Sequence, residues 1–246
     1  MENDILFLSI FTRGMRDLAI NHLFSLKQMG ITNTLSFCSD KETVEILNAK
    51  GFQSLENPTP INKDIFSIND SEFNKFSYFK YIILINLLKK HKYIWYLDVD
   101  TVVTKDIRNY IYDDYDIIIQ DDINQLSSAC IFVKNTENTI ELLNTVWNER
   151  NIKYNDQIIL NKILRRGEIP IRGYTLSIAE FRPGLLFFDE KYLITLSENV
   201  KKMRKLFVNN KETGSLVKPA LIHANYTINI NQKIHALKSR NLWFIR

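Results

Sequence analysis

Glycine is scarce in this chain, seven in 246 residues, and none falls into a G-x-G-x-x-G or G-x-x-x-x-G-K-[ST] pattern. That excludes the glycine loops with which dinucleotide folds and P-loop enzymes hold phosphate on backbone N–H groups. A diphosphate bound here has to be neutralised by side chains or by a cation. Cysteine is limited to Cys38 and Cys130, and histidine to four residues. Both cysteines lie in strand-like apolar segments and read as buried reduced thiols, because a zinc site needs more Cys or His partners. No Gly-x-Ser-x-Gly elbow or Cys–His nucleophile pattern occurs. The longest strongly apolar run, residues 81–88, is interrupted by Asn86, far from the roughly 20 residues that span a bilayer. The start, Met1-Glu-Asn-Asp4, is acidic and lacks a basic n-region. A soluble, cytoplasmic protein is therefore expected, with no transmembrane segment. The charge excess is also small, 32 basic against 28 acidic residues for a net +4. That is no footprint for nucleic acid, although it suits an anionic small substrate.

Apolar and aromatic residues are plentiful, 45% and 12% of the chain, enough for one large α/β core. Residues 5–11 read as a strand. A helical pattern follows through Leu18, His22, Leu23, Leu26 and Met29, stopped at Gly30. Residues 34–38 form a second strand, and a short helix ends at Gly51. This βαβα start predicts a parallel sheet with helical crossovers. Phe73, Phe76, Phe79, Ile83 and Leu87 make a helical stripe over 73–90. Strands are expected at 116–120, 129–133 and 220–223. Helices are expected at 136–150, with Ile140, Leu143 and Trp147 inward, at 158–164, and around 232–238. Turns are read at Arg182-Pro-Gly184 and a solvated basic loop at 201–205. No linker, repeat or composition break divides the chain, so residues 1–246 read as one domain.

The chemistry concentrates in Tyr93-Ile-Trp-Tyr-Leu-Asp98-Val-Asp100-Thr101. Its first five residues have the composition of a buried strand. Carboxylates at i and i+2 project to one side of an extended backbone. At the carboxyl end of a strand they stand where open α/β sheets bind ligands, and two hard oxygen donors suit a divalent cation that also holds phosphate. Alone, Asp-Val-Asp is a common tripeptide and would mean nothing in a surface turn. Pro219-Ala-Leu-Ile-His223-Ala-Asn225-Tyr delivers an imidazole to another strand end. A lone histidine there is more often structural, but with two carboxylates it makes a mixed O/N set that favours Mn²⁺ over Mg²⁺. Asn155-Asp156-Gln157 precedes an apolar helix and reads as an N-cap, a role compatible with substrate contact. Gln120-Asp-Asp122 also ends a strand, with a local turn as its plain alternative. Lys80 and Lys233 are diphosphate partners or solvent-facing residues.

Taken in order, Asp98-Val-Asp100-Thr, Asn155-Asp-Gln157 and His223-Ala-Asn225-Tyr resemble the nucleotide-diphospho-sugar transferase family, glycosyltransferase family 77. Phe11-Thr-Arg-Gly14, Ser39-Asp40, Lys80, Cys130-Ile-Phe-Val-Lys-Asn-Thr136, Phe181-Arg-Pro-Gly184, Lys233 and Leu242-Trp243 extend the likeness over nearly the whole chain. The resemblance implies a single GT-A domain, an α/β fold with a mixed, mostly parallel central sheet flanked by helices. Residues 1–100 would be its nucleotide-binding half, and 101–246 its acceptor side with the C-terminal metal and phosphate segment. It implies transfer of a sugar, with retention, from a nucleoside-diphosphate donor (UDP most often) to an acceptor hydroxyl on a glycan, protein or small molecule. It also implies Mn²⁺, with Mg²⁺ as the substitute. Asp98 would touch ribose and metal, while Asp100 and His223 bind the metal. Thr12, Arg13 and Asp40 would line the nucleoside pocket, Lys80 and Lys233 the diphosphate, and Asn225 the substrate. Asp122, Asp156 and Gln157 would face the sugar and the reacting centre. The chain departs from the family at Ala129, where a glycine is frequent, and at Thr227-Ile-Asn-Ile-Asn231, which lacks the glycine common between metal histidine and phosphate lysine. Many eukaryotic relatives carry membrane anchors, so the absence of one suggests a bacterial, viral or cytosolic member. The competing readings are a non-catalytic sugar-nucleotide or glycan-binding module, and a nucleotidyltransferase or sugar-nucleotide hydrolase using similar acids.

Overall fold

The computed structural model describes residues 4–57, 71–195, 197–209 and 217–245. Most of the acidic start, residues 1–4, lies outside them. The chain begins with β1 (Ile5–Phe11), α1 (Arg16–Gln28), β2 (Thr34–Cys38), α2 (Lys41–Ala49) and β3 (Ser54–Glu56). Then come α3 (Ser71–Leu88), β4 (Tyr93–Leu97), β5 (Thr101–Val103), β6 (Ile117–Asp121), β7 (Leu126–Lys134), α4 (Glu137–Asn148) and α5 (Asp156–Arg166). The last third holds β8 (Gly173–Leu176), β9 (Phe181–Pro183), α6 (Gly184–Phe187), α7 (Glu198–Asn209), β10 (Leu221–His223) and α8 (Ile230–Ser239). These elements pack as two compact units made of alternating stretches. The first comprises residues 1–14, 33–98 and 110–175, the second 15–32, 99–109 and 176–246.

The first unit is organised by a seven-stranded sheet in the order β3-β2-β1-β4-β7-β6-β8. Pairing is parallel from β3 to β4 and antiparallel where β7 joins β4 and β6. The mixed sheet with helical crossovers expected from the sequence is what forms. β1 is buried at every position, as a central parallel strand covered on both faces must be. Leu6, Leu8 and Ile10 point into a core shared with Leu84, Leu88, Leu142, Val146 and Leu160. Each such side chain contributes roughly 1.5–3 kcal/mol through burial. On the alternate positions Phe7 stacks on Trp95 at 6.0 Å, and Trp95 meets Phe132 edge-on at 5.8 Å, a cross-strand aromatic ladder in register.

The helix boundaries follow capping chemistry. Asp40, Thr136 and Asn155 accept the N–H groups of Thr43, Thr139 and Ile158, and Gly167 closes α5 in the left-handed region at φ 65°. One stripe is corrected. The fully buried face of α3 carries Asn74, Ser77, Tyr78, Lys80, Tyr81, Ile83, Leu84, Ile85 and Leu88, so Ile83 of the stripe is inside as expected, while Phe73, Phe76, Phe79 and Leu87 are only partly buried. Polar residues win the interior because they have buried work there. Asn74 donates to the Ile152 carbonyl (2.8 Å), and the Tyr78 hydroxyl to that of Tyr154 (3.0 Å), pinning the segment before α5. In α4, likewise, Leu142, Leu143 and Val146 are fully buried, with Ile140 and Trp147 on the flank of the core.

The second unit holds a three-stranded sheet, β5-β10-β9, antiparallel between β5 and β10 and parallel between β10 and β9. Arg182-Pro-Gly184, read from sequence as a turn, instead ends β9 and begins the one-turn α6. The basic stretch at 201–205 is helical, part of α7. Arg204 fastens that helix by donating to the carbonyls of Leu185 and Phe188, each at 2.8 Å, while Lys201, Lys202 and Lys205 stay exposed. No described helix is long and apolar enough to cross a membrane.

Candidate active site

The first unit gathers a buried polar network at the carboxyl end of β4. Asp98 follows the strand, donates its N–H to Ala129 (2.8 Å) and accepts the Tyr96 hydroxyl at 2.5 Å. Lys80 lies 4.7 Å over the Tyr96 ring. Its ammonium donates to the Ser128 carbonyl (3.0 Å) and hydroxyl (3.3 Å) and pairs with Asp156 at 3.0 Å. The lysine and aspartate side chains are only 6% and 5% exposed, so the solvent-facing alternative for Lys80 does not hold. Tyr81 gives its hydroxyl proton to the same Asp156 oxygen at 3.0 Å, and the Asp156 N–H reaches Ser77 at 3.3 Å. Gln157 accepts the Ser128 N–H (3.0 Å) and extends its amide toward Asp122 (3.4 Å). Asp122 is held nearby by the β6–β7 hairpin, whose register slips between Ile119 and Gln120 and whose Ile123 takes φ 72°. Burial, then the Asp156 carboxylate, pushes the Tyr81 hydroxyl well above its usual range, and burial with Asp98 does the same for Tyr96. Both remain proton donors at any working pH.

The proposed nucleoside residues converge at the ends of neighbouring parallel strands, since Phe11 pairs with Cys38. Thr12 is buried. The Arg13 N–H donates to Ser39 (3.0 Å), and its exposed guanidinium lies 3.5 Å from Glu42. Asp40 caps α2 and accepts the Cys38 thiol at 3.3 Å. Burial raises its carboxyl, but the Thr43 bonds, Cys38 and Arg13 outweigh that and hold it below the usual range. The thiols of Cys38 and Cys130 are free and buried, as expected, and burial pushes both up to about 12. Neither serves as a nucleophile at neutral pH.

In the second unit Asp100 and His223 are brought together. Register sets Thr101 opposite His223 and His223 beside Pro183, and the Asp100 carbonyl accepts the Ala224 N–H at 2.8 Å. The His223 Nε2 is 3.3 Å from Asp100 Oδ1, both side chains being 8% exposed. Lys233, presented by α8 behind the Asn229 cap, forms an ion pair with Asp100 Oδ2. The missing glycine at 227–231 therefore does not displace this lysine from the metal-ligand candidates. Burial alone would raise the Asp100 carboxyl, yet Lys233 and His223 hold it far below the usual range. Asn225 uses its side-chain oxygen to accept the Gly184 N–H at 2.7 Å. A Cβ at Gly184 would strike the Asn225 carbonyl and lie 3.1 Å from that of His223, so only glycine lets α6 approach this backbone.

Sequence reasoning missed His22, which is fully buried in α1 with Nδ1 3.0 Å from both the carbonyl and hydroxyl oxygens of Thr101. Burial lowers its imidazole to about 4, outweighing the Thr101 bond and Asp100. Ser25, one turn on, accepts the Val103 N–H at 3.0 Å. The available signal was a pair of polar residues on the apolar face of α1. As a donor set, the carboxylate and imidazole of the second unit, with Asp98 two residues upstream of Asp100, suit a cation of Mn²⁺ type.

The fold is that of the GT-A class of glycosyltransferases. It superposes on the apo glycosyltransferase GlyE of Streptococcus pneumoniae TIGR4 with a TM-score of 0.61 at 11% identity, over 98% of this chain and 60% of that one. A family profile described as nucleotide-diphospho-sugar transferase matches residues 29–237, and the chain belongs to that family. Among curated relatives, a Dictyostelium discoideum UDP-galactose:fucoside alpha-3-galactosyltransferase is 23% identical over 298 aligned residues, covering 99% of this chain and 43% of the relative. An Arabidopsis thaliana UDP-D-xylose:L-fucose alpha-1,3-D-xylosyltransferase is 27% identical over 190 residues, covering 66% of this chain and 48% of the relative. The chain thus spans less than half the length of either.

Proposed function

We propose that this chain is a cation-dependent glycosyltransferase that moves a hexose or pentose from a UDP-sugar to a hydroxyl of a fucoside, forming an α linkage. The observation carrying this reading is the buried Asp100–His223 pair, with Asp100 in the Asp98-Val-Asp100 turn that follows β4. The donor and acceptor classes rest on the two relatives, both named for a UDP-sugar and a fucose acceptor. An α product from an α-linked UDP-sugar is retention at the anomeric carbon.

Asp98, Asp100 and His223 are the proposed ligands of Mn²⁺, with Mg²⁺ as the substitute. Such an ion supplies Lewis-acid neutralisation of the departing diphosphate, an effect of several kcal/mol. Lys233 adds a positive charge toward that leaving group, and Thr12, Arg13 and Asp40 hold the nucleoside. Asp156, fixed by Lys80 and Tyr81 in a single orientation, faces positive charge developing at the anomeric carbon. Asp122 and Gln157 orient the sugar. The acceptor proton passes to a diphosphate oxygen, either during front-face attack or in a second step, in which the acceptor oxygen displaces Asp156 from the ester it had formed by expelling the diphosphate.

The test is transfer from a panel of UDP-sugars, with Mn²⁺, to an aryl fucoside. Fucoside-dependent product is expected, and Asp100→Ala, folded with a native melting profile, loses at least about a thousandfold in rate. Undiminished transfer by that variant, or release of free sugar that ignores the fucoside, overturns the reading.

A further inference from the structure

We propose that His22 is the positioning residue of the cation ligands, setting Asp100 and His223 through Thr101. This deepens the metal reading above and rests on it. A carbonyl oxygen only accepts, so the contact to the Thr101 carbonyl at 3.0 Å requires the hydrogen on Nδ1, and the Thr101 hydroxyl at the same distance shares that donor. The imidazole thereby fixes both the backbone and the side chain of one residue. That residue is the covalent neighbour of Asp100 and the ladder partner of His223. A shift of Thr101 is passed to the Asp100 backbone through their peptide bond and to the strand carrying His223 through the ladder. The next anchor on the same helix, Ser25, holds Val103, two residues further from the ligands. α1 therefore grips β5 at two points, of which only the His22 contact borders the metal pair. Outer partners that orient metal ligands typically account for 10–100-fold in affinity.

The amide analogues of histidine separate this role from simple packing. Asparagine places its Nδ2 donor near the position of Nδ1, whereas glutamine carries its donor one atom further out. The full-length chain is titrated with Mn²⁺ alone, followed by electron paramagnetic resonance of the free ion, and each variant is unfolded in urea. His22→Asn is expected to bind within about threefold of the unmodified protein, and His22→Gln about tenfold more weakly. Ser25→Ala is expected to lose stability while keeping its Mn²⁺ affinity. Equal affinities of the two His22 variants overturn the positioning role, as does a Ser25→Ala defect in Mn²⁺ binding as large as that of His22→Gln. If the unmodified protein itself takes up no Mn²⁺, the metal reading falls and this inference falls with it, an outcome distinct from the other two.

Discussion

The polar clusters of the two units satisfy their buried carboxylates in different ways. In the first, Asp156 is held by Tyr81, Lys80 and its own N–H on Ser77, and Asp98 by Tyr96. The lysine is in turn tied to Ser128 and lies over an aromatic ring. Each partner is locked in the core. In the second, Asp100 is met by Lys233 and His223, groups to which the proposed reaction gives tasks of their own. The first cluster is a fixed scaffold, while the second is held by contacts that a bound cation and diphosphate can exchange. Substitutions of the supporting partners Lys80, Tyr81 and Tyr96 in the first should therefore register mainly as lost stability, and those of Lys233 and His223 in the second mainly as altered ligand affinity.

The largest effect is expected at the Lys80–Asp156 pair. Lys80→Met leaves a buried carboxylate short of its countercharge, a loss of about 3–5 kcal/mol in urea unfolding. The double variant with Asp156→Leu should recover much of that, and a fully additive loss would show that the pair is not the unit described. Next is the acid sensitivity of the second unit. Between pH 6.5 and about 4 the unfolded chain protonates His22 while the folded chain keeps it neutral. Stability is therefore lost as pH falls through that window, by on the order of 3 kcal/mol. His22→Asn should lack this component, so the gap between the two proteins' pH profiles measures it, and parallel profiles contradict it. Gly184→Ala should then lower stability by roughly 1–3 kcal/mol, because the Asn225 backbone must shift to admit a Cβ. An unchanged melting temperature would show that this approach is looser than described. The smallest effect carries the sharpest sign. Lys233→Met removes a cation competing for Asp100, so Mn²⁺ binding without nucleotide should tighten roughly threefold to tenfold. UDP binding with Mn²⁺ should weaken, and a loss on both counts would return Lys233 to the fixed class.

Much of this was legible in the residues. Apolar runs marked β1, β2 and β4, and glycine or Asx signals marked the ends of α1, α2 and α5, because burial and capping are local chemistry. Asp98, Asp100 and His223 stood out as polar groups ending apolar strands. What the sequence concealed depended on distant partners. The polar members of α3's interior face went unrecognised because Asn74, Ser77 and Lys80 find partners more than forty residues on. His22 read only as part of the apolar stripe of α1 because its partner is Thr101, 79 residues away. The basic stretch in α7 looked like a loop because its described anchor is Arg204, whose partners, the Leu185 and Phe188 carbonyls and Glu190, lie 14–19 residues upstream.

The central claim is that Asp100 and His223 hold the cation that carries the leaving diphosphate. Crystals grown with Mn²⁺ and UDP and measured at the manganese absorption edge test it directly. The account predicts one anomalous peak about 2.1–2.3 Å from an Asp100 carboxylate oxygen and from His223 Nε2, with the diphosphate on its far side. A nucleotide bound with no peak there, or a peak ligated by other residues, contradicts it.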